Sequence, residues 1–234
     1  MKEIIWHGSD KIIEKPTYGL GKTNNDYGLG FYCTKSEELA KEWSCQIPGK
    51  DGYANCYELN LENLKTLYLN DTQFTILDWL AILAYNRDFR VSTAIAKKGK
   101  EYLLENFLID TSKYDVIVGY RADDSYFSFA RAFVNNEISL KQLSYAMKLG
   151  KLGEQIMIKS EKAFSQIQFK KYEIAISEEY YIKRKKRNDE AVRNFIENQE
   201  VDDIYGIYMR DIIRERIDKN DARLRWNVFK WCNE

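Results

Sequence analysis

The sequence predicts an α+β fold. Short strand-like runs are scattered along the chain with helical patterns between them, no internal repeat is visible, and the last quarter carries helical periodicity alone. At 234 residues the chain makes one large domain or one domain with an extension. With 44 % hydrophobic residues it can bury a substantial core. We place a domain over 1–176 and a helical C-terminal extension over 177–234.

Residues 2–7 alternate as a strand, with Ile5 and His7 on one face and Ile4 and Trp6 on the other. Residues 16–30 are rich in Gly, Asn, Asp and Thr, which is loop chemistry. Gly28-Leu29-Gly30 leads into a strand at Phe31-Tyr32-Cys33. Thr34-Lys35-Ser36-Glu37 fits a capping box and predicts a helix through Trp43. Tyr53–Leu59 reads as a strand. Residues 71–86 form a helical pattern with Leu77, Leu80, Ala81 and Ala84 on one face, and 87–110 form a weaker one. Tyr114–Gly119 is a strand ending in a turn. Ser125–Val134 and Ser139–Leu149 read as helices, the second capped by Ser139. Gln155–Lys159 and Gln168–Ile176 are strands flanking a short helix or turn. Beyond residue 178, Val192, Phe195, Ile196, Ile204, Ile207, Tyr208 and Ile212 keep helical spacing.

Composition narrows the function classes. Lys plus Arg equals Asp plus Glu at 36 each, so bulk charge gives no push toward nucleic acid or membrane. No run is apolar for the roughly 18 residues a membrane span needs, and the start has no apolar h-region. Cys33, Cys45, Cys56 and Cys232 lack metal-ligand spacing, and with one His no zinc site is expected. Reduced thiols and a cytoplasmic location are the expectation.

The candidate site residues are His7, Tyr32, Trp43 and Glu154. A lone His at a strand end is usually packing. Its chemical use here would be a neutral imidazole bonding a ribose, with the Gly8 backbone close to a flat ligand. Tyr32 and Trp43 read either as core aromatics or as two faces for a planar ring. Glu154 opens an apolar strand, and alternation turns Glu154 and Gln155 to opposite faces, so only one enters a cleft unless a bulge intervenes. Asp123 and Asp124 either bind substrate or cap the next helix. The basic run Lys183 to Arg187 is either a solvated helix face or a contact to nucleic-acid phosphates.

Three blocks together resemble ADP-ribosyltransferases of the diphtheria-toxin and poly(ADP-ribose) polymerase type. They are His7-Gly8-Ser9, Gly28-Leu29-Gly30-Phe31-Tyr32 with Trp43 one helix later, and the strand opening at Glu154. The chain more closely resembles a bacterial family of unknown function in the same superfamily. That likeness adds Asp26 to the Gly-x-Gly-Phe-Tyr block and runs through Asp115-Val116-Ile117-Val118-Gly119-Tyr120-Arg121-Ala122-Asp123-Asp124, covering roughly residues 1–170. Many of its members carry Gln at the position of Gln155. Ala40 departs from the polymerases, which place a Ser there.

The resemblance implies a split antiparallel sheet with inserted helices. It implies NAD as co-substrate without a metal, held by His7, Gly8, Ser9, Tyr32 and Trp43, with His7, Tyr32 and Glu154 as the catalytic set. The implied activity is mono-ADP-ribosyl transfer to a protein or nucleic acid. Several members of the bacterial family look like toxins of toxin–antitoxin or phage-defence loci, so a cognate antitoxin is an implied partner. The alternatives are an NAD glycohydrolase and a catalytically inactive binding module.

Overall fold

The computed structural model describes residues 1–122, 124–147, 153–199 and 203–225. Strand β1 (Lys2–Ser9) is followed by irregular residues 10–30, then β2 (Phe31–Thr34) and helix α1 (Glu37–Ser44). Next come β3 (Gly52–Asn60), β4 (Thr66–Tyr68), α2 (Ile76–Asn86), α3 (Ala94–Asn106) and β5 (Val116–Tyr120). Helices α4 (Asp124–Val134) and α5 (Leu140–Ala146) precede β6 (Glu154–Ile158), the short α6 (Glu161–Phe164) and β7 (Ile167–Ala175). The described chain finishes with α7 (Ser177–Gln199), α8 (Met209–Arg214) and α9 (Ala222–Arg225).

The strands form one sheet in the order β4-β5-β6-β2-β1-β3-β7, antiparallel except for the β4–β5 pair. β1 pairs with β3 along its whole length, from Lys2↔Asn60 to Ser9↔Tyr53. β6 pairs continuously with both β2 and β5. Between β1 and β2, however, the register holds at one place only, Trp6↔Thr34. The sheet is therefore two halves, β4-β5-β6-β2 and β1-β3-β7, that part on one side of that pair. The α+β expectation is met at this level.

Both faces of the sheet are apolar. One carries Ile5, Cys33, Tyr57, Val118, Ile156 and Ile158. The other packs Ile117, Met157 and Tyr27 against the helical layer, where Trp79, Phe107, Phe129 and Phe133 are buried. The region after 176 joins this core: Phe195 of α7 stacks on Phe129 at 3.9 Å. No described helix is long and apolar enough to cross a membrane.

Several local expectations shift. α1 is capped by Ser36, whose Oγ accepts from the Leu39 amide at 3.2 Å. Thr34 cannot serve, because sheet pairing to Gln155 keeps it in β2. α2 starts at Ile76, where Thr75 and Asp78 form the capping box, leaving 71–75 outside the helix. The pattern over 87–110 yields a helix only from Ala94, behind a Thr93 cap. β4 has three residues, too few for alternation to register. Ser139 caps α5 as expected, with Gln142 completing the box. The end of that predicted helix, 148–149, lies outside the described residues, as does Cys232.

Candidate functional site

Where β1 and β2 part, a cleft of about 530 Å³ opens. His7 and Gly8 of β1, Tyr32 of β2 and Gln155 of β6 line it from the sheet. Trp43 of α1, Arg184 of α7 and the irregular loop from Ile13 to Asp26 form its other walls. The volume is in the range of ordinary small-molecule sites.

His7 sits beside the point of separation. Its Nδ1 lies 2.6 Å from the Tyr32 carbonyl oxygen. A carbonyl only accepts, so Nδ1 carries the proton and Nε2 keeps its lone pair. Burial lowers the His7 pKa below the ordinary 6.5. The ring packs on Phe31 with centroids 4.3 Å apart. The result is a neutral imidazole held in one tautomer, with an acceptor available to a hydroxyl.

Tyr32 lines the cleft with its ring, and its hydroxyl is tied down. It donates to the Gly28 carbonyl at 2.6 Å and accepts from the Tyr27 amide at 3.1 Å. Burial raises its pKa, so it stays a phenol. Gly28 makes this turn at φ 87°, in the left-handed region that favours glycine.

The floor is a buried network around Asp26. Its carboxylate accepts from the Ala122 amide at 2.8 Å, from Gln155 Nε2 at 2.8 Å and from Arg87 at 3.1 Å. Burial raises the Asp26 carboxyl, and those donors pull the other way. Gln155 Nε2 also donates to the Tyr120 carbonyl at 3.1 Å, so both amide protons are engaged. The Tyr27 hydroxyl and the Trp79 indole reach the same carbonyl. Gly119 makes room for this, since a Cβ there would meet the Tyr27 hydroxyl. The Asp26-Tyr27 block and the Asp115–Ala122 block are thus two halves of one hydrogen-bonded unit.

Glu154 goes elsewhere. Cross-strand pairing puts Tyr32 opposite Met157 and Thr34 opposite Gln155, so Gln155 shares the face of Tyr32. Alternation sends Glu154 to the other face, where it accepts from Asn70 and feels Lys35 and Glu3. Burial raises its pKa. Glu154 is not among the cleft-lining residues, so of the expected set His7 and Tyr32 are brought together and Glu154 is not. No bulge restores it, because β6 pairs in continuous register.

The remaining expected contacts divide. Gly8 lines the cleft, but what forbids a side chain there is α1: a Cβ would strike the Ala40 carbonyl oxygen. Ser9 lies outside the lining and accepts from the Lys11 amide at 3.4 Å. Trp43 lines the cleft at 9 % exposure, with the Arg121 guanidinium 3.8 Å above its ring. A flat ligand would have to displace that group to stack on the same face. Asp123 and the side chain of Asp124 lie outside the described residues. Composition and spacing pointed to none of Arg87, Arg121 and Arg184 as site residues. Arg121 lies inside the Asp115–Asp124 motif and Arg184 inside the basic run, whereas Arg87 carries no sequence signal.

The basic run splits three ways. Lys183 bonds Glu38 at 3.4 Å and Glu179 at 2.6 Å. Arg187 forms a two-pronged pair with Glu42 at 2.7 and 2.8 Å. Arg184 faces the cleft.

A family model described as a protein of unknown function (DUF3990) matches residues 3–169. No curated protein and no solved structure matches the chain.

Proposed function

The chain belongs to this family of unknown function, DUF3990, and on that premise we propose that it is an NAD-dependent mono-ADP-ribosyltransferase. The observation that carries the reading is the parting of β1 from β2 past Trp6↔Thr34, which opens a cleft onto His7, Tyr32 and Gln155 together. That juxtaposition is what the sequence blocks His7-Gly8-Ser9 and Gly28–Tyr32 would require of a ribosyltransferase.

The chemistry is breakage of the bond between nicotinamide nitrogen and ribose C1′. Nicotinamide leaves with the electron pair, and C1′ becomes an oxocarbenium-like centre, as in glycoside cleavage. The acceptor's nucleophile then bonds to C1′ and gives up its proton. His7 Nε2 accepts from a ribose hydroxyl, which orients the nucleotide. The Tyr32 ring walls the reacting end against water. Gln155, clamped by Asp26 and Tyr120, presents a fixed dipole to the developing positive charge. In this reading Gln155 takes the role that the sequence alone assigned to Glu154.

The same resemblance supports a toxin that modifies a protein or nucleic acid and is restrained by an antitoxin. Incubation with NAD labelled in the adenylate, alongside separate protein, RNA and DNA pools, tests the activity. The expected result is label transferred to one pool. Free ADP-ribose without transfer would instead make the protein a glycohydrolase, and NAD left intact would remove the reading.

A further inference from the structure

We propose that Arg184 and Arg121 form an anion subsite that grips the diphosphate bridge of the dinucleotide. Among the described residues, the cleft lining holds the cations Lys22, Arg87, Arg121 and Arg184 and the carboxylate Asp26. Arg87 is committed to Asp26 at 3.1 Å and to the Ala122 carbonyl at 2.6 Å. Among the described residues that leaves Lys22 and Arg184 without a carboxylate partner. Lys22 is exposed on the loop, whereas Arg121 and Arg184 are half-buried, where charge is screened less.

Each arginine has its own reason to be read as recognition. Arg121 places its guanidinium carbon 3.8 Å from the centre of the Trp43 ring, a cation–π contact that holds the group against the wall. Arg184 makes no ion pair or hydrogen bond with a described residue, although Lys183 just before it and Arg187 one turn later do. An arginine turned into a cleft without a carboxylate partner suits an external anion, and its fork matches phosphate oxygens. The Trp43 indole N–H adds an independent sign. It is buried without a hydrogen-bond partner, a costly state that an acceptor oxygen of a ligand would relieve. A diphosphate supplies acceptors for both guanidinium groups and for that N–H.

Arg184 lies outside the family match, which ends at residue 169. Helix α7 therefore contributes a lining residue to the cleft from outside the matched region. The dinucleotide identity rests on the proposed function, whereas the anion subsite can be tested without it.

Calorimetry with inorganic pyrophosphate and, separately, with NAD tests the subsite on wild type, Arg184→Gln, Arg184→Ala and Lys185→Ala. Lys185 has the same charge on the same helix and does not line the cleft. Circular dichroism and unfolding midpoints establish that each variant is folded, and the Gln variant serves if Ala does not fold. The expected result is that both ligands bind wild type and Lys185→Ala alike, and bind the Arg184 variants about 10- to 100-fold more weakly. Pyrophosphate binding that depends on Arg184 without any NAD binding would keep the subsite and remove the proposed function. NAD binding that is the same with and without Arg184 would overturn the subsite and leave the proposed function standing. Wild type that binds no pyrophosphate would overturn it as well.

Discussion

His7 carries the most consequence per atom. Its Nδ1 is engaged by the Tyr32 carbonyl and burial lowers its pKa, so the fold selects the neutral ring. A base whose folded pKa lies below its unfolded value stabilises the fold above the unfolded pKa. That contribution is lost as pH falls from about 6.5 through the folded value. Urea unfolding at about pH 7.5 and about pH 5 should show a smaller acid loss for His7→Gln than for wild type. Equal losses in both proteins would mean that His7 does not titrate with folding. At the same scale, Glu154 and Gln155 are adjacent in sequence and separated in space by the pleat. Alternation was legible from the sequence and said that only one could enter the cleft. Which one depends on register with β2, a long-range pairing that no local pattern encodes.

At the scale of elements, α1 and α7 are coupled by a nearly buried ion pair. The Glu42 side chain is 4 % exposed and that of Arg187 30 %. Arg187→Ala would leave a carboxylate buried without its main partner, and the expected cost is about 3 kcal/mol in urea unfolding. A loss under about 0.5 kcal/mol, the size of an exposed pair, would mean that the helices are held by packing alone. Trp43 and Arg184, each close in sequence to one partner of this pair, both line the cleft. Element existence was largely legible, because each long strand and helix repeats a two- or 3.6-residue period. Helix starts were less so. Thr34 and Ser36 both suit a cap, and only sheet pairing decides between them. The three-residue β4 carried no period at all.

Over the whole molecule, the site is a property of topology. Residues from 7, 32, 43, 155 and 184 meet because β6 inserts beside β2, β1 parts from β2, and α7 returns across α1. The sequence blocks around His7 and Tyr32 were readable as a pair from their motifs. The arginines were not, since a charge on a surface helix looks the same whether it faces solvent or a cleft. The central claim is that the cleft between β1 and β2 cleaves NAD and that Gln155, inside it, contributes where Glu154, outside it, does not. The direct measurement is the rate of nicotinamide release from NAD by wild type, Gln155→Ala and Glu154→Gln. The account predicts release by wild type, a fall on the order of 100-fold for Gln155→Ala, and a rate near wild type for Glu154→Gln. No release by wild type, or loss in Glu154→Gln with Gln155→Ala still active, would contradict it.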